Sequence, residues 1–241
     1  MTYKGIVLIM GGTGGIGTYL VEEFSRTGYQ VLFTYYNNND TAEKLERLYK
    51  AWGFKVDASN EENMMNFEKK ILTEYGKVDA VIYGSGIFED SLIENMTLES
   101  WNRVIATNLT GAFLCAKYMI QLLRNSGHGR FICIGSVMGE SGIYGSCSYA
   151  ASKAGIIGLV KSIALENARH GVTANVVSFG YIKTGMTTKL PEKVLESAMK
   201  KIPMKKTGEP SDAAKVVVDL CQEHTNYISG QVIRVNGLLY V

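Results

Sequence analysis

The sequence predicts an α/β chain built on a doubly wound parallel sheet with helices on both faces. Three observations carry that expectation. Short continuous apolar runs such as Ile6-Val7-Leu8-Ile9-Met10 lack the in–out alternation of half-buried strands, and suit strands covered on both sides. These runs alternate with helical patterns along the whole chain. A glycine-rich stretch, Gly11-Gly12-Thr13-Gly14-Gly15-Ile16-Gly17, separates the first run from the first helical pattern.

Composition bounds the reading. The chain has 241 residues, 46% of them hydrophobic, which suits one large core in a single domain over 1–241. A net charge of +2 is too balanced to point to nucleic acid. No signal-peptide pattern precedes Lys4, and no apolar run approaches the roughly 20 residues of a membrane span. The expectation is a soluble, cytoplasmic protein. Cys115, Cys133, Cys147 and Cys221 are scattered and read as reduced thiols, and His128, His170 and His224 lie too far apart for a metal-ligand pattern.

The elements follow in order. After the run at 6–10 and the glycine turn, a helix is expected over about Thr18 to Thr27, stopped by Gly28. Val31 to Thr34 is the second strand. Strand, glycine turn, helix and strand make a βαβ unit, in which backbone N–H groups and the helix dipole can receive a phosphate. A helix over Thr41 to Trp52 presents Ala42, Leu45, Leu48 and Tyr49 on one face. Phe54 to Val56 is a short strand leading to Asp57, and Glu61 to Tyr75 a helix ended by Gly76. Val78 to Tyr83 is the fourth strand, followed by Gly84-Ser85-Gly86. Leu98 to Leu123 is a long helical stretch that contains Asn108 and Gly111. Arg130 to Gly135 is the fifth strand, with Ser136 at its end, and Tyr149 to Arg169 the next helix. Val172 to Ser178, a helix at Pro191 to Lys201, a helix at Ser211 to Cys221 and a strand at Gln231 to Val235 complete the chain. In such sheets ligands bind at the carboxyl ends of the strands, where the glycine turn, Asp57, Gly84 to Gly86, Ser136 and Phe179 to Tyr181 all fall.

Tyr149 and Lys153 stand four residues apart, on one helical face. An ammonium beside a phenol favours the phenolate and lowers its pKa. Ser136 lies thirteen residues earlier, at a strand end. Its hydroxyl can hold a substrate oxygen, and Tyr149 can give that oxygen a proton while a bound nicotinamide delivers hydride to carbon.

The chain resembles the short-chain dehydrogenase/reductase family over its whole length. The residues that carry the resemblance are Gly11-x-x-x-Gly15-Ile16-Gly17, Asp57, Thr107-Asn108-Leu109, Ser136, Tyr149-x-x-x-Lys153 and Asn236-Gly237. The resemblance implies a Rossmann fold with seven parallel strands and a catalytic set of Asn108, Ser136, Tyr149 and Lys153. Asn108 would support a water-linked proton path from Lys153, which would also hold the cofactor ribose. The implied nucleotide site comprises Gly11, Thr13, Gly14, Gly15, Ile16, Gly17, Tyr35, Asp57, Ala58, Gly84, Ser85, Gly86, Gly180, Ile182 and Thr184, with Tyr149 and Lys153. Within the family the chain is most similar to 3-oxoacyl carrier-protein reductases and acetoacetyl-CoA reductases, through stretches such as Tyr149-Ala150-Ala151-Ser152-Lys153-Ala154-Gly155 and Gly180-Tyr181-Ile182-x-Thr184-x-Met186. That implies reduction of a 3-oxoacyl thioester, carried by CoA or an acyl carrier protein, by a homotetramer. Another ketone or secondary alcohol, such as a polyketide, sugar or steroid-like substrate, is the alternative substrate class. A nucleotide-sensing scaffold is the alternative without catalysis.

The chain departs from the family's pattern at several positions. Met10 replaces the usual Thr before the first glycine. Tyr83-Gly84-Ser85-Gly86 replaces Asn-Asn-Ala-Gly, so Tyr83 must fill the space of a bracing Asn. Phe179-Gly180 replaces Pro-Gly, and Leu238 stands for the second Gly of Asn-Gly-Gly. At the end of the second strand, Tyr35 stands where NAD enzymes carry an acid against the ribose 2′-hydroxyl. NADP is therefore expected over NAD, with hydroxyls and amides from Tyr35 to Asn39 in place of an Arg. The 181–206 segment is long for a connection and reads as a substrate lid. Met186, Leu190, Met199 and Met204 are its apolar members. Lys183, Lys189, Lys193, Lys200, Lys201, Lys205 and Lys206 make it basic, as a solvated face or as a dock for an acidic carrier protein or CoA phosphates.

Overall fold

The computed structural model describes residues 3–185, 187–188 and 190–241. Strands β1 (Ile6–Met10), β2 (Gln30–Tyr35), β3 (Trp52–Lys55), β4 (Ala80–Tyr83), β5 (Arg130–Ser136), β6 (Thr173–Phe179) and β7 (Val232–Val235) form one seven-stranded sheet in the order β3-β2-β1-β4-β5-β6-β7. Every neighbouring pair is parallel. The strand order reverses between β1 and β4, so their following loops diverge and leave a crevice at the carboxyl edge.

The period-two alternation of each strand feeds two cores. On one face Val7 and Ile9 of β1 pack with Leu20, Val21 and Phe24 of α1 (Gly15–Arg26), Ala42 and Leu45 of α2 (Asn39–Tyr49), and Ala213 and Val217 of α9 (Pro210–Asp219). On the other, Leu8 and Met10 pack with α3 (Glu61–Tyr75), α5 (Gly111–Ser126) and α7 (Cys147–Asn167). The remaining helices are α4 (Leu98–Ile105), α6 (Met138–Ser141) and α8 (Glu192–Lys201). Full burial of a Leu, Ile or Phe side chain contributes about 1.5–3 kcal/mol relative to exposure, so these two apolar layers dominate the fold.

Helix ends follow the chemistry of their caps. The side chains of Asn38, Asn60 and Thr97 accept from backbone N–H groups three residues on, opening α2, α3 and α4. Gly76 and Gly127 close α3 and α5 in the left-handed conformation, at φ 72° and 77°. Pro210 occupies the first turn of α9, where its missing N–H costs nothing.

The structure corrects several boundaries. The helix expected over Thr41 to Trp52 ends at Tyr49. Lys50 then turns left-handed at φ 54°, and Trp52 instead opens β3, in register with Leu32. Leu48, expected on the buried face, is 55% exposed. Val78 precedes β4 and donates its N–H to the Leu122 carbonyl. The helical stretch from Leu98 continues to Ser126, but Ala106–Thr110 is a π turn. The Tyr149 helix starts at Cys147, and its tail at Ala168–His170 is 3₁₀. Helix α6 lay unsignalled in the sequence between Ser136 and Tyr149.

Near the C-terminus, Asn236-Gly237-Leu238-Leu239 closes a turn in which Leu239 N–H donates to the Asn236 carbonyl at 3.2 Å. Both central residues have positive φ, 62° at Gly237 and 68° at Leu238. Such turns favour Gly or Asn at these positions. A side chain at positive φ costs roughly 1–2 kcal/mol, part of which is offset by the lower unfolded-state entropy of Leu compared with Gly. Leu238→Gly is therefore expected to raise stability by up to about 1 kcal/mol, read as a higher midpoint in urea unfolding with unchanged slope.

Candidate active site

The site lies at the carboxyl edge, on both sides of the β1/β4 reversal. The turn after β1 is closed by backbone contacts that exclude side chains. Gly14 N–H donates to the Gly11 carbonyl at 3.0 Å, and Gly12 N–H to the Thr34 carbonyl at 2.8 Å. A Cβ on Gly17 would overlap the Gly11 carbonyl, and one on Gly12 would stand 2.6 Å from Phe33. Helix α1 then begins at Gly15 with no side chain capping it. Its first N–H groups stay open at the positive end of the helix dipole, while Gly14 and Gly15 are exposed. This cradle fits the diphosphate of a dinucleotide.

Across the crevice, α7 brings Tyr149 and Lys153 against the end of β5. Lys153 is 5% exposed and its Nζ donates to the Ile134 carbonyl at 2.7 Å. Its nitrogen lies 5.7 Å from the centre of the Tyr149 ring. Phe88 meets the same ring edge-on at 5.1 Å. Ser136 Oγ accepts from Met138 N–H at 3.2 Å, which leaves its own O–H to donate elsewhere. Asn108, fully buried in the π turn, accepts from Ile87 N–H at 2.8 Å and donates to the Ile87 carbonyl and Ser152 Oγ, each at 3.0 Å. Ser152 in turn donates to the Tyr149 carbonyl at 2.7 Å.

The electrostatics differ from the sequence expectation on one point. Burial raises the Tyr149 pKa above its ordinary 10.0, and the nearby Ser136 hydroxyl lowers it only in part. Lys153 was expected to depress the phenol. Instead burial takes Lys153 itself down to about 8, with Cys133 pulling weakly the other way. One of its three N–H donors goes to the Ile134 carbonyl.

A cleft of about 170 Å³ joins the two halves. Its walls include Gly14 to Gly17, Gly84, Gly86, Ser136, Tyr149, Lys153, Gly180, Ile182 and Thr184 from the sequence-derived set. Ile134, Gly135 and Phe179, toward the ends of β5 and β6, also line it, as does Thr187 of the segment after β6. Other expected residues do not form its walls. Gly11 packs on Ser85, whose N and Oγ would stand 2.9 Å from a Cβ there. Thr13 is half-buried in the turn. Tyr35 tilts against Phe33 at 6.2 Å. Asp57 Oδ1 accepts from Ser59 N–H at 2.9 Å and from Ser59 Oγ at 2.6 Å, and Ala58 is buried below α5. Asn38, expected among the groups for a 2′-phosphate, caps α2 through its Oδ1 at 3.2 Å. Met186 and Lys189 of the expected lid lie outside the described residues.

A family model described as Enoyl-(Acyl carrier protein) reductase matches residues 11–237. The chain is 35% identical to the 3-oxoacyl-(acyl-carrier-protein) reductase FabG of Buchnera aphidicola subsp. Baizongia pistaciae, over 100% of this chain and 99% of that protein. It is 35% identical to the acetoacetyl-CoA reductase of Rhizobium meliloti, over 98% of each, and 34% identical to the FabG protein of Escherichia coli, over the full length of both. The chain belongs to the short-chain dehydrogenase/reductase family. As a member it is an oxidoreductase acting on CH–OH groups, and its fold is the Rossmann type that the glycine turn foreshadowed. The family implies a nicotinamide cofactor, and the open glycine cradle suits one. Among the described residues, no helix is long and apolar enough to cross a membrane, and no group of three or more His, Cys, Asp or Glu is placed to hold a metal ion.

The position of Lys153 makes stability depend on pH. Its folded pKa of about 8 lies below its ordinary 10.5, so between those values the unfolded chain binds more protons than the folded one. Stability from this site therefore rises with pH across that window. Cys133 and Cys221, pushed up to about 12 from an ordinary 9.0, act in the opposite sense above pH 9, where only the folded chain keeps the thiol protons. The unfolding free energy of the wild type minus that of Lys153→Met should rise by about 1 kcal/mol between pH 8 and pH 9, measured by urea unfolding at each pH. A flat difference would remove burial of Lys153 as the cause.

Proposed function

We propose that this protein reduces a 3-oxoacyl thioester to the 3-hydroxyacyl thioester with NADPH. The observation that carries this reading is the convergence of the Ser136 hydroxyl, Tyr149 and Lys153 on one cleft that also contains the open glycine cradle. Gly14 to Gly17 would hold the diphosphate, and Lys153 and Tyr149 the nicotinamide ribose; the bound nucleotide supplies the hydride. Ser136, whose Oγ accepts from Met138 N–H, orients the ketone oxygen with its O–H. Tyr149, kept neutral by burial, is the proton donor to that oxygen. Lys153 feeds the phenol its replacement proton, and Asn108 holds the structure behind it. The lack of an acid at Tyr35 supports NADPH over NADH.

The names of the relatives support the thioester class, and the surface beside the cleft suits it. A second cavity of about 490 Å³ is walled by Tyr144 and Tyr181, by Lys193 and Lys201 of α8, and by Leu239 and Tyr240. It offers apolar area for an acyl chain and ammonium groups for phosphates. In this reading α8 and its flanking segments, 181–206, are the lid, within one catalytic domain spanning the chain. Lys183 pairs with Glu209 at 3.2 Å and Lys205 donates to the Lys200 carbonyl at 2.8 Å; Lys200, Lys201, Lys205 and Lys206 are all exposed. Helix α7 is apolar on nearly every side, with Leu165 84% exposed, and Phe113 of α5 is 48% exposed. Faces of this kind suit burial between subunits, and a homotetramer is the assembly we infer.

The direct test is turnover of acetoacetyl-CoA and of an acetoacetyl carrier protein with NADPH and with NADH, beside a panel of sugar and steroid ketones. Thioester turnover at least tenfold faster with NADPH is expected, and Tyr149→Phe should lower kcat by about a thousandfold while keeping nucleotide affinity. Better turnover with NADH, or preference for a non-thioester ketone, would replace the substrate or cofactor reading. Changing Lys200, Lys201, Lys205 and Lys206 together to Gln should raise KM for the carrier-bound substrate about tenfold, with kcat little changed.

A further inference from the structure

Tyr83 stands at the carboxyl end of β4, in register with Met10 of β1 and Cys133 of β5. It is one of the largest fully buried side chains, and it points to the face covered by α5 and α7. Its hydroxyl donates to the backbone carbonyl of Thr107 at 2.5 Å. Thr107 lies inside the π turn Ala106–Thr110 and immediately precedes Asn108.

A π turn is an unusual element. Gly111 N–H reaches the Ala106 carbonyl, five residues back instead of four. The extra residue turns everything downstream by about 100° about the helix axis. Such single turns survive where groups outside the helix hold them, and they concentrate at functional sites. Here the outside group is the Tyr83 phenol. Burial keeps it neutral well above its ordinary range, so it remains a donor at every physiological pH.

The fit around the hydroxyl is closed. A Cβ on Gly111 would overlap the Tyr83 oxygen, and would stand 3.1 Å from the Ala58 carbonyl. The pairing of Tyr83 with Gly111 is thus a matched set: the large side chain needs the missing one. What the held turn presents is Asn108, with three hydrogen bonds to Ile87 and Ser152. Ile87 follows Gly86, whose Cβ position lies 3.7 Å from Lys153 Nζ, and Ser152 adjoins Lys153 on α7. The chain of contacts from β4 to the proton-handling residues is continuous.

We propose that Tyr83 is a positioning residue for the reaction. By donating to Thr107 it sets the register of the π turn, and so places Asn108 against the Gly86–Ile87 strand end and against α7 beside Lys153. This rests on the reading of Asn108, Tyr149 and Lys153 as the groups that move the proton.

The test is Tyr83→Phe, which removes the hydroxyl and leaves the ring in the core. Expected is a fall in kcat of about tenfold or more with KM and nucleotide affinity within about twofold. Amide hydrogen exchange should speed up in 106–112 and not in the sheet. Gly111→Ala should impair the wild type by displacing the hydroxyl, and should do less in the Tyr83→Phe background, so the two effects do not multiply. A Tyr83→Phe enzyme with kcat within twofold of wild type, unchanged exchange at 106–112, or strictly multiplicative effects would each overturn the proposal. Nucleotide titration and exchange need no substrate. A wild type that reduces no 3-oxoacyl thioester would therefore sink the substrate reading alone, and the exchange result would still decide the role of Tyr83.

Discussion

The bond from Lys153 to the Ile134 carbonyl ties the active-site helix to the centre of the sheet. A buried ammonium is tolerated only where its protons find acceptors. Here one acceptor is a strand carbonyl, close to the point where β5 delivers Ser136. That contact helps set the height and rotation of α7 over β5. With the helix so placed, Tyr149 four residues earlier must face the same cleft. Two close approaches enforce the placement. A Cβ on Gly139 would stand 2.7 Å from Lys153 Cβ, and one on Gly155 would stand 2.7 Å from Leu109. The first brings α6 onto α7; the second brings α7 onto the π turn.

Around that anchor, the protein spends its polar groups in two distinct ways. Asn108 and Ser152 are satisfied by one another and by backbone, so they behave as rigid framework. Ser136 and Tyr149 line the cleft with their hydroxyls beside one another, and neither is committed to the framework as a donor to the backbone. The distinction follows from hydrogen-bond accounting: a donor already committed inside the protein has little to offer a ligand. Asp57, clasped by Ser59, belongs with the framework in this geometry.

The departures from the family pattern have different consequences. Tyr83 adds a bond that the turn beside it uses. Met10 lies under Thr34, whose hydroxyl meets its sulfur at 3.7 Å while also accepting from Gly11 N–H at 3.2 Å, so the first glycine is still held. Leu238 introduces positive-φ strain on an exposed turn. Phe179 is buried at the end of β6 and takes a place in the cleft wall. None of the four displaces Ser136, Tyr149 or Lys153.

The sequence by itself determined the parallel sheet, because short apolar runs alternating with helical patterns along the whole chain fit strands covered on both faces. It also pointed to the strand ends that line the cleft, since glycine turns and the Ser136, Tyr149 and Lys153 spacing are local signals. Tertiary structure alone decided what those local signals cannot encode. The early stop of α2 at Tyr49 came from β3 needing Trp52 opposite Leu32. The π turn at Ala106–Thr110 is met by the Tyr83 hydroxyl, which reaches the Thr107 carbonyl from a strand twenty-four residues away in the chain. The depressed pKa of Lys153 came from burial, which depends on everything packed around it. Periodicity and spacing report on a residue's own segment; register, burial and the partner of a buried polar group are set by segments that meet only when the chain has folded.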